Sequence, residues 1–155
     1  MSGQPVKRTS VLALIATLLV ALPALAARPA PNTRYSGKTS QDRRLSARVT
    51  SDSTGLQLEF DEVFRCNRGP RKNTRAVYNR QRPSIREDGT FDYRKTYRDL
   101  PPAPGFEERR TERQHVTGSF TADGARVRGR AVTSITGRSG LRCTATVTFT
   151  ARKTR

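Results

Sequence analysis

Few residues in this chain could carry catalytic chemistry. His115 is its only histidine, and it lies in a stretch of polar and apolar residues that predicts a strand. Beside a carboxylate such as Glu62 or Glu112, and surrounded by arginines, it could act as the general acid of a phosphodiester hydrolase. Nothing in the sequence fixes that partner, and an ordinary strand histidine is the alternative. We therefore predict no catalytic residues, no metal site and no cofactor.

Six of the 13 acidic residues occur in three adjacent pairs, Asp61-Glu62, Glu87-Asp88 and Glu107-Glu108. Neighbours on a strand point to opposite faces, so the first pair cannot grip one substrate atom together. Asp88 precedes Gly89, and aspartate is favoured there because it hydrogen-bonds the backbone of a turn. These acids are interpreted as turn formers and counter-ions.

Basic residues give the strongest signal. The chain carries 30 Lys and Arg against 13 Asp and Glu, a formal net charge of +17. Residues 63–86 contain eight cations and no acid, and a second basic cluster follows at residues 93–98. Guanidinium groups grip phosphate at two points, and tyrosine rings offer a stacking surface for bases. The predicted polyanion-binding residues are Arg65, Arg68, Arg71, Lys72, Arg75, Tyr78, Arg80, Arg82, Arg86, Tyr93, Arg94, Lys95, Tyr97 and Arg98.

A surface of this charge would attract nucleic acid, an anionic wall polymer or acidic membrane headgroups. The leading interpretation is a non-enzymatic domain that binds such an anionic partner at or beyond the cell surface. One alternative is a protein-recognition or inhibitor module, in which the Pro-rich loop 100–106 presents Leu100 and Phe106 at an exposed tip. The other is a secreted hydrolase that uses His115. A surface that is basic only because the codons are GC-rich also stays open.

The first 26 residues have the features of a secretory signal peptide. Lys7 and Arg8 precede a 12-residue apolar run, 11–22, that only Thr17 interrupts, and residues 24–26 read Ala-Leu-Ala. A membrane span needs about 20 apolar residues, so this run is too short for an anchor. We predict cleavage near Ala26 and a secreted product without a transmembrane span. A Pro-rich tether, 27–33, and one β-domain, 34–155, would follow.

Hydrophobic residues alternate with polar ones through most of the mature chain, which indicates strands with one buried face. In 141–151, every second residue from Leu141 to Ala151 is apolar. Turn dipeptides Asp88-Gly89, Asp123-Gly124 and Ser139-Gly140 separate such runs. The pattern predicts an all-β fold, a single antiparallel β-sandwich or partly closed barrel of about seven or eight strands. The strands are expected near 34–39, 43–51, 55–66, 73–78, 90–98, 112–121, 125–136 and 141–152.

Cys66 and Cys143 are the only cysteines, and in an exported protein a lone pair predicts a disulfide. Both fall on the inward side of their predicted strands. The core is thin, because only 20 of the 129 residues after the leader are Leu, Ile, Val or Phe. A bond between residues 77 positions apart would contribute about 4–5 kcal/mol in the chain-entropy treatment. The disulfide is therefore interpreted as structural.

Three segments carry a resemblance: residues 35–41 (YSGKTSQ), residues 88–91 (DGTF) and the last strand, residues 142–151 (RCTATVTFTA). In these the chain resembles a loose group of short, secreted, Arg-rich bacterial proteins of unassigned function. The resemblance implies a small two-cysteine β-domain that faces the outside of the cell. It implies no catalytic residues.

Overall fold

The structure, a computed structural model, describes residues 28–78 and 82–154. The predicted signal peptide lies outside these ranges. Within these ranges eight strands occur, each within two residues of a predicted one at either end: β1 (Arg34–Thr39), β2 (Arg44–Val49), β3 (Leu56–Cys66), β4 (Lys72–Tyr78), β5 (Thr90–Leu100), β6 (Arg110–Phe120), β7 (Arg126–Gly137) and β8 (Arg142–Lys153). In the part of the chain that the structure describes, no helix has the length and hydropathy to cross a membrane.

All strand pairs are antiparallel, in the order β4-β3-β2-β1-β8-β7-β6-β5. An additional pairing joins β3 to β8. β3 is long enough to pair with β2 at its start and with β8 at its end, where Arg65 and Cys66 lie opposite Thr144 and Cys143. Strands β1, β2, β3 and β8 therefore form a partly closed barrel, and the predicted all-β class is confirmed. β4 extends the sheet beyond β3, and β7, β6 and β5 extend it beyond β8.

Alternation decides which side chains face the interior. In β8, every second residue from Cys143 to Ala151 is buried and the residues between them are exposed. The interior contains two hydrophobic clusters. The larger one includes Leu45, Phe60, Phe91 and Phe149. The smaller one lies beside the disulfide and consists of Phe64, Phe106, Ile135, Leu141, Cys143 and Ala145, with Cys66 packed against it.

The Pro-rich loop after β5 closes one end of this interior. Pro104 and Gly105 occupy the centre of a turn in which Ala103 and Phe106 exchange backbone hydrogen bonds of 2.9 and 2.7 Å. Gly105 has a φ of 83°, which glycine adopts without steric cost. The turn directs Phe106 inward, where its ring packs edge-on against Phe64 at 5.7 Å. The prediction that this loop presents Phe106 at an exposed tip is wrong: burying a large ring in a thin core is the more favourable arrangement, and only 3% of Phe106 is exposed.

The turns use the residues that the sequence indicated. Asp123 accepts hydrogen bonds from Thr121 and from the Ala125 amide, and Gly124 follows it with a φ of 63°. The Asp88 carboxylate likewise accepts the Thr90 amide at 2.9 Å. Each carboxylate therefore satisfies a backbone donor beside a left-handed glycine.

The predicted disulfide is present and joins Cys66 to Cys143, which lie directly opposite each other in the β3–β8 pairing. Before β1, the described part of the predicted tether is held against the domain. Asn32 donates its amide to Thr50, and Val49 donates its amide to Thr33. Both hydrogen bonds fix this segment along the end of β2.

Candidate functional site

The outward face of strands β5–β8 is strongly basic. Inward positions on these strands are taken by core residues such as Phe91, Val116, Ala131 and Val147, so the residues between them point to solvent. Eight of those outward residues are exposed arginines, and we call them the basic face: Arg94, Arg98, Arg113, Arg126, Arg128, Arg130, Arg142 and Arg152.

The strand register places hydroxyl groups between these guanidinium groups. Arg130 pairs with Thr117 on one side and Thr148 on the other. Arg128 lies in the same way between Ser119 and Thr150. Hydroxyls and guanidinium groups both donate hydrogen bonds to oxyanions, so the face offers a continuous array of donors.

Few carboxylates neutralise the basic face. Arg94 pairs with Asp92, with 3.5 Å between Nε and Oδ1. The other seven arginines form no ion pair with any residue in the described ranges. Arg126 even lies directly opposite Arg152 in the β7–β8 register. Like charges placed opposite each other destabilise a sheet, and a bound anion would relieve that repulsion.

The outward side of β3 has the opposite character. Its positions include Glu59 and Asp61, the second of which is exposed. Positive charge is therefore not spread evenly over the outer surface. Arg34, Arg44 and Arg48 are exposed on β1 and β2, and a larger number of exposed arginines lies on β5–β8.

His115 lies within the basic face and contacts Asp92, with 3.1 Å between Nε2 and Oδ1. The sequence suggested Glu62 or Glu112 as its carboxylate partner, and that suggestion is wrong. Both glutamates occupy inward positions that line the interior, whereas His115 is on the outward side of β6. The observed partner, Asp92, lies on β5 two residues before Arg94, which is directly opposite His115 in the register. Asp92 is therefore a diagonal neighbour of His115 on the same side of the sheet.

The basic residues of 63–86 lie away from most of this face. Arg65 is opposite Thr144 and borders the face. Arg68 hydrogen-bonds Ser139, and Lys72 donates to the Gly105 carbonyl. Arg86 donates a 3.2 Å hydrogen bond to Thr90, the first residue of β5, and exposed positions elsewhere hold Arg71 and Arg82. Arg80 and the side chains of Arg75 and Tyr78 lie outside what the structure describes.

The two predicted basic segments are not on neighbouring strands. One leads into β4 and the other lies on β5, and these strands are at opposite ends of the sheet order. Of the predicted residues on β5, Arg94 and Arg98 belong to the basic face, and Lys95 has inward parity although it is exposed. The arginines that the prediction missed follow a visible signal: Arg126, Arg128 and Arg130 alternate with the inward residues of β7.

The two described tyrosines of the predicted set are on the other side of the sheet. Tyr93 packs against the larger core cluster, and its hydroxyl lies 3.3 Å from that of Tyr97. Burial, followed by the hydrogen bond to Tyr97, raises the pKa of the Tyr93 hydroxyl above its usual range. Rings in these positions cannot stack on a ligand that lies across Arg94 and Arg98.

An ion-pair cluster borders the far end of the basic face. Asp99 accepts hydrogen bonds from Arg109 at 2.7 Å and from Arg138 at 2.7 Å. The Arg109 hydrogen bond, helped by Arg138, lowers the pKa of the Asp99 carboxyl to about 2. Asp99 has a φ of 54°, a left-handed conformation that asparagine also tolerates.

We expect Asp99→Asn to reduce the melting temperature at neutral pH and to lose that effect in acid. A carboxyl with a lowered folded-state pKa stabilises the fold above its unfolded-state pKa near 4, and this contribution disappears as the pH falls towards 2. Thermal unfolding of parent and variant between neutral pH and pH 2 measures the difference. A gap that stays constant across this range would show that the Asp99 charge is not its cause.

No group of three or more His, Cys, Asp and Glu side chains that could hold a metal ion occurs within residues 28–78 and 82–154. The candidate site is the basic face, an array of guanidinium and hydroxyl donors on one side of the sheet. No family model matches the chain, and comparisons with curated proteins and with solved structures give no match either.

Proposed function

We propose that this protein is a secreted, non-enzymatic β-domain that binds an anionic polymer through the basic face. The observation that carries the proposal is that seven exposed arginines on one side of the sheet have no carboxylate partner among the described residues. Unneutralised guanidinium groups at this density create a positive potential that concentrates polyanions at the surface. Each group also offers two parallel donors to a phosphate, sulfate or carboxylate.

The proposed mode of binding is electrostatic. Tyr93 and Tyr97 face the interior, so the face supports charge recognition rather than stacking on bases. Arginines repeated along neighbouring strands also favour contact with the backbone of a polymer, which repeats its charge regularly, over recognition of one sequence.

Export is the second part of the proposal. The leader-like pattern of residues 1–26 supports it, and the disulfide between Cys66 and Cys143 is compatible with an oxidising compartment. The partner would then be an anionic component at or beyond the cell surface.

The test is a titration of the mature, oxidised protein with a mixed-sequence DNA duplex, and in parallel with an anionic polysaccharide, across a series of salt concentrations. Counterion release makes log K for the duplex fall with log salt at about 0.9 per neutralised phosphate, so contact by about four arginines gives a slope near −3.6. An affinity that does not change with salt would contradict electrostatic binding.

The same samples separate binding from hydrolysis. The contact between His115 and Asp92 beside Arg94 is the one observation that favours the alternative of a phosphodiester hydrolase. We expect the duplex to stay intact after incubation with the parent and with His115→Ala. If the parent cleaves the duplex and His115→Ala does not, the protein is a hydrolase and our proposal is wrong.

A further inference from the structure

A polar cavity of about 280 Å³ lies inside the fold, below the loop that carries Phe106. It borders the smaller hydrophobic cluster, two of whose aromatic residues, Phe64 and Phe106, form part of its wall. Its other lining residues come from β3, β4, the loop, β6 and β7: Glu62, Thr74, Ala76, Ala103, Pro104, Arg110, Glu112, Gln114, Thr133 and Ile135. The volume is at the lower end of the range for small-molecule sites.

Two polar residues in this wall interrupt otherwise apolar inward faces. Glu62 stands among Leu58, Phe60 and Phe64 on β3 and is only 2% exposed. Thr133 stands between Ala131 and Ile135 on β7 and donates a 3.0 Å hydrogen bond to Glu62. Burying a carboxylate is costly, and a thin core has little stability to spend on it. Buried polar residues that break an otherwise apolar pattern are expected chiefly at functional sites.

Arg110 and Glu112 add two opposite charges that do not neutralise each other. They are two residues apart on the inward side of β6, and neither forms an ion pair within the described residues. Glu112 accepts a 2.6 Å hydrogen bond from Gln114. The guanidinium carbon of Arg110 lies 5.4 Å from the centre of the Phe106 ring.

The Nε group of Arg110 is buried without a hydrogen-bond partner, although the same guanidinium donates to the Pro101 carbonyl. A buried charged donor without an acceptor is a substantial cost in a native protein. An acceptor atom within the cavity would remove that cost. An anionic group would suit this position best, because the guanidinium of Arg110 is charged.

These features together define the ligand's chemistry. The carboxylates of Glu62 and Glu112 suit an ammonium group, Arg110 suits a carboxylate, and Phe64, Phe106 and Ala76 suit a short apolar body. We propose that the cavity binds a small zwitterion of the α-amino-acid type, with its carboxylate at Arg110 and its ammonium group at Glu112. This site is separate from the basic face, which lies on the other side of the sheet.

Thermal-shift and calorimetric titrations with L-alanine, L-valine and L-leucine test this proposal, because a ligand that binds the folded state raises its melting temperature. For the amino acid that binds best, the amine and the carboxylic acid with the same side chain are titrated in parallel. The amine lacks the carboxylate that would contact Arg110, and the acid lacks the ammonium group that would contact Glu112. We expect each to bind at least about tenfold more weakly than the amino acid does. Binding by none of the amino acids, or equal binding by the amine or the acid, would overturn the proposal.

Substitutions locate the binding site. Glu112→Gln and Arg110→Gln each remove one charge from the cavity wall, and each is expected to weaken binding at least about tenfold by removing one charge-assisted contact. Glu107→Gln and Arg71→Gln change the same charges at exposed positions and should bind like the parent. Circular dichroism without ligand identifies any variant that does not fold. If one of the two cavity variants is unfolded, the affinity of the other one tests the proposal. Parent-like affinity in a folded cavity variant would place the ligand elsewhere.

Discussion

Replacing both cysteines, Cys66→Ala with Cys143→Ala, is expected to lower the free energy of unfolding by about 4–5 kcal/mol. The bond joins residues 77 positions apart, so its loss releases a long loop in the unfolded chain. Proteins of this size have about 5–15 kcal/mol of stability in total, so the loss removes a large share of it. Denaturant unfolding followed by circular dichroism measures this difference.

The position of the disulfide in the fold indicates where its loss acts, which is the contact between β3 and β8. β3 meets β8 through only two paired positions, and Cys66 with Cys143 is one of them. Beside it, the Asn67 amide donates to the Arg142 carbonyl at 2.9 Å. Without the bond, we expect the barrel to open along this line first.

Reductant is the control for this prediction. It should destabilise the oxidised parent to the level of the double variant and leave the variant unchanged. A variant whose free energy of unfolding stays within about 1 kcal/mol of the parent value would show that the closure of β3 on β8 does not depend on the disulfide.

The strands and turns could be predicted because their causes are local. Alternation in residues 141–151 reflects burial of one side of a strand, and β8 shows it without interruption. Aspartate before a left-handed glycine marks a turn wherever it occurs, as at Asp123-Gly124. The loop with Phe106 was mispredicted because its burial depends on space beside Phe64, which a local pattern does not encode.

The position of the basic face depends on which strands are neighbours. β4 and β5 are close in sequence but lie at opposite ends of the sheet order, which is determined by long-range pairing. The alternation did contain part of the answer. Tyr93 and Tyr97 share the parity of buried Phe91, whereas Arg94 and Arg98 have the opposite parity. The two-residue alternation that predicted the strands therefore also places the tyrosine rings and the arginine side chains on opposite sides of β5.

The sequence also contains two signs of the cavity. Glu62 breaks the apolar side of β3, and Thr133 breaks that of β7. Each looks like an isolated irregularity in its own strand. Their meaning appears only when the fold brings them within 3.0 Å of each other.

The second large effect concerns the basic face. We expect the triple variant Arg113→Gln, Arg128→Gln and Arg130→Gln to bind a DNA duplex about 100-fold more weakly at 0.15 M salt than the parent does. Each lost phosphate contact reduces the salt slope by about 0.9, so three reduce it by about 2.7. All three arginines are exposed and form no ion pair among the described residues, so their removal leaves no carboxylate unpaired.

The matched control removes the same charge from a different region. Arg48, Arg71 and Arg82 are exposed and lie on β2 and in the loops on either side of β4. β2 and β4 are each three strands from β7 in the sheet pairings, and neighbouring strands are about 4.8 Å apart. Charges more than about 8 Å from a bound polymer are screened at physiological salt, so replacing these three arginines by glutamine should change the affinity by less than about threefold.

The ratio of the dissociation constants of these two triple variants for one duplex, measured at 0.15 M salt, tests the central claim most directly. Both variants have the same net charge, so the ratio reports only where the charge was removed. Recognition through the outward side of β5–β8 predicts that the β6–β7 variant binds more weakly by at least about 30-fold. A ratio near one would mean that total charge alone attracts the polymer, and a reversed ratio would place binding on the region that carries Arg48, Arg71 and Arg82.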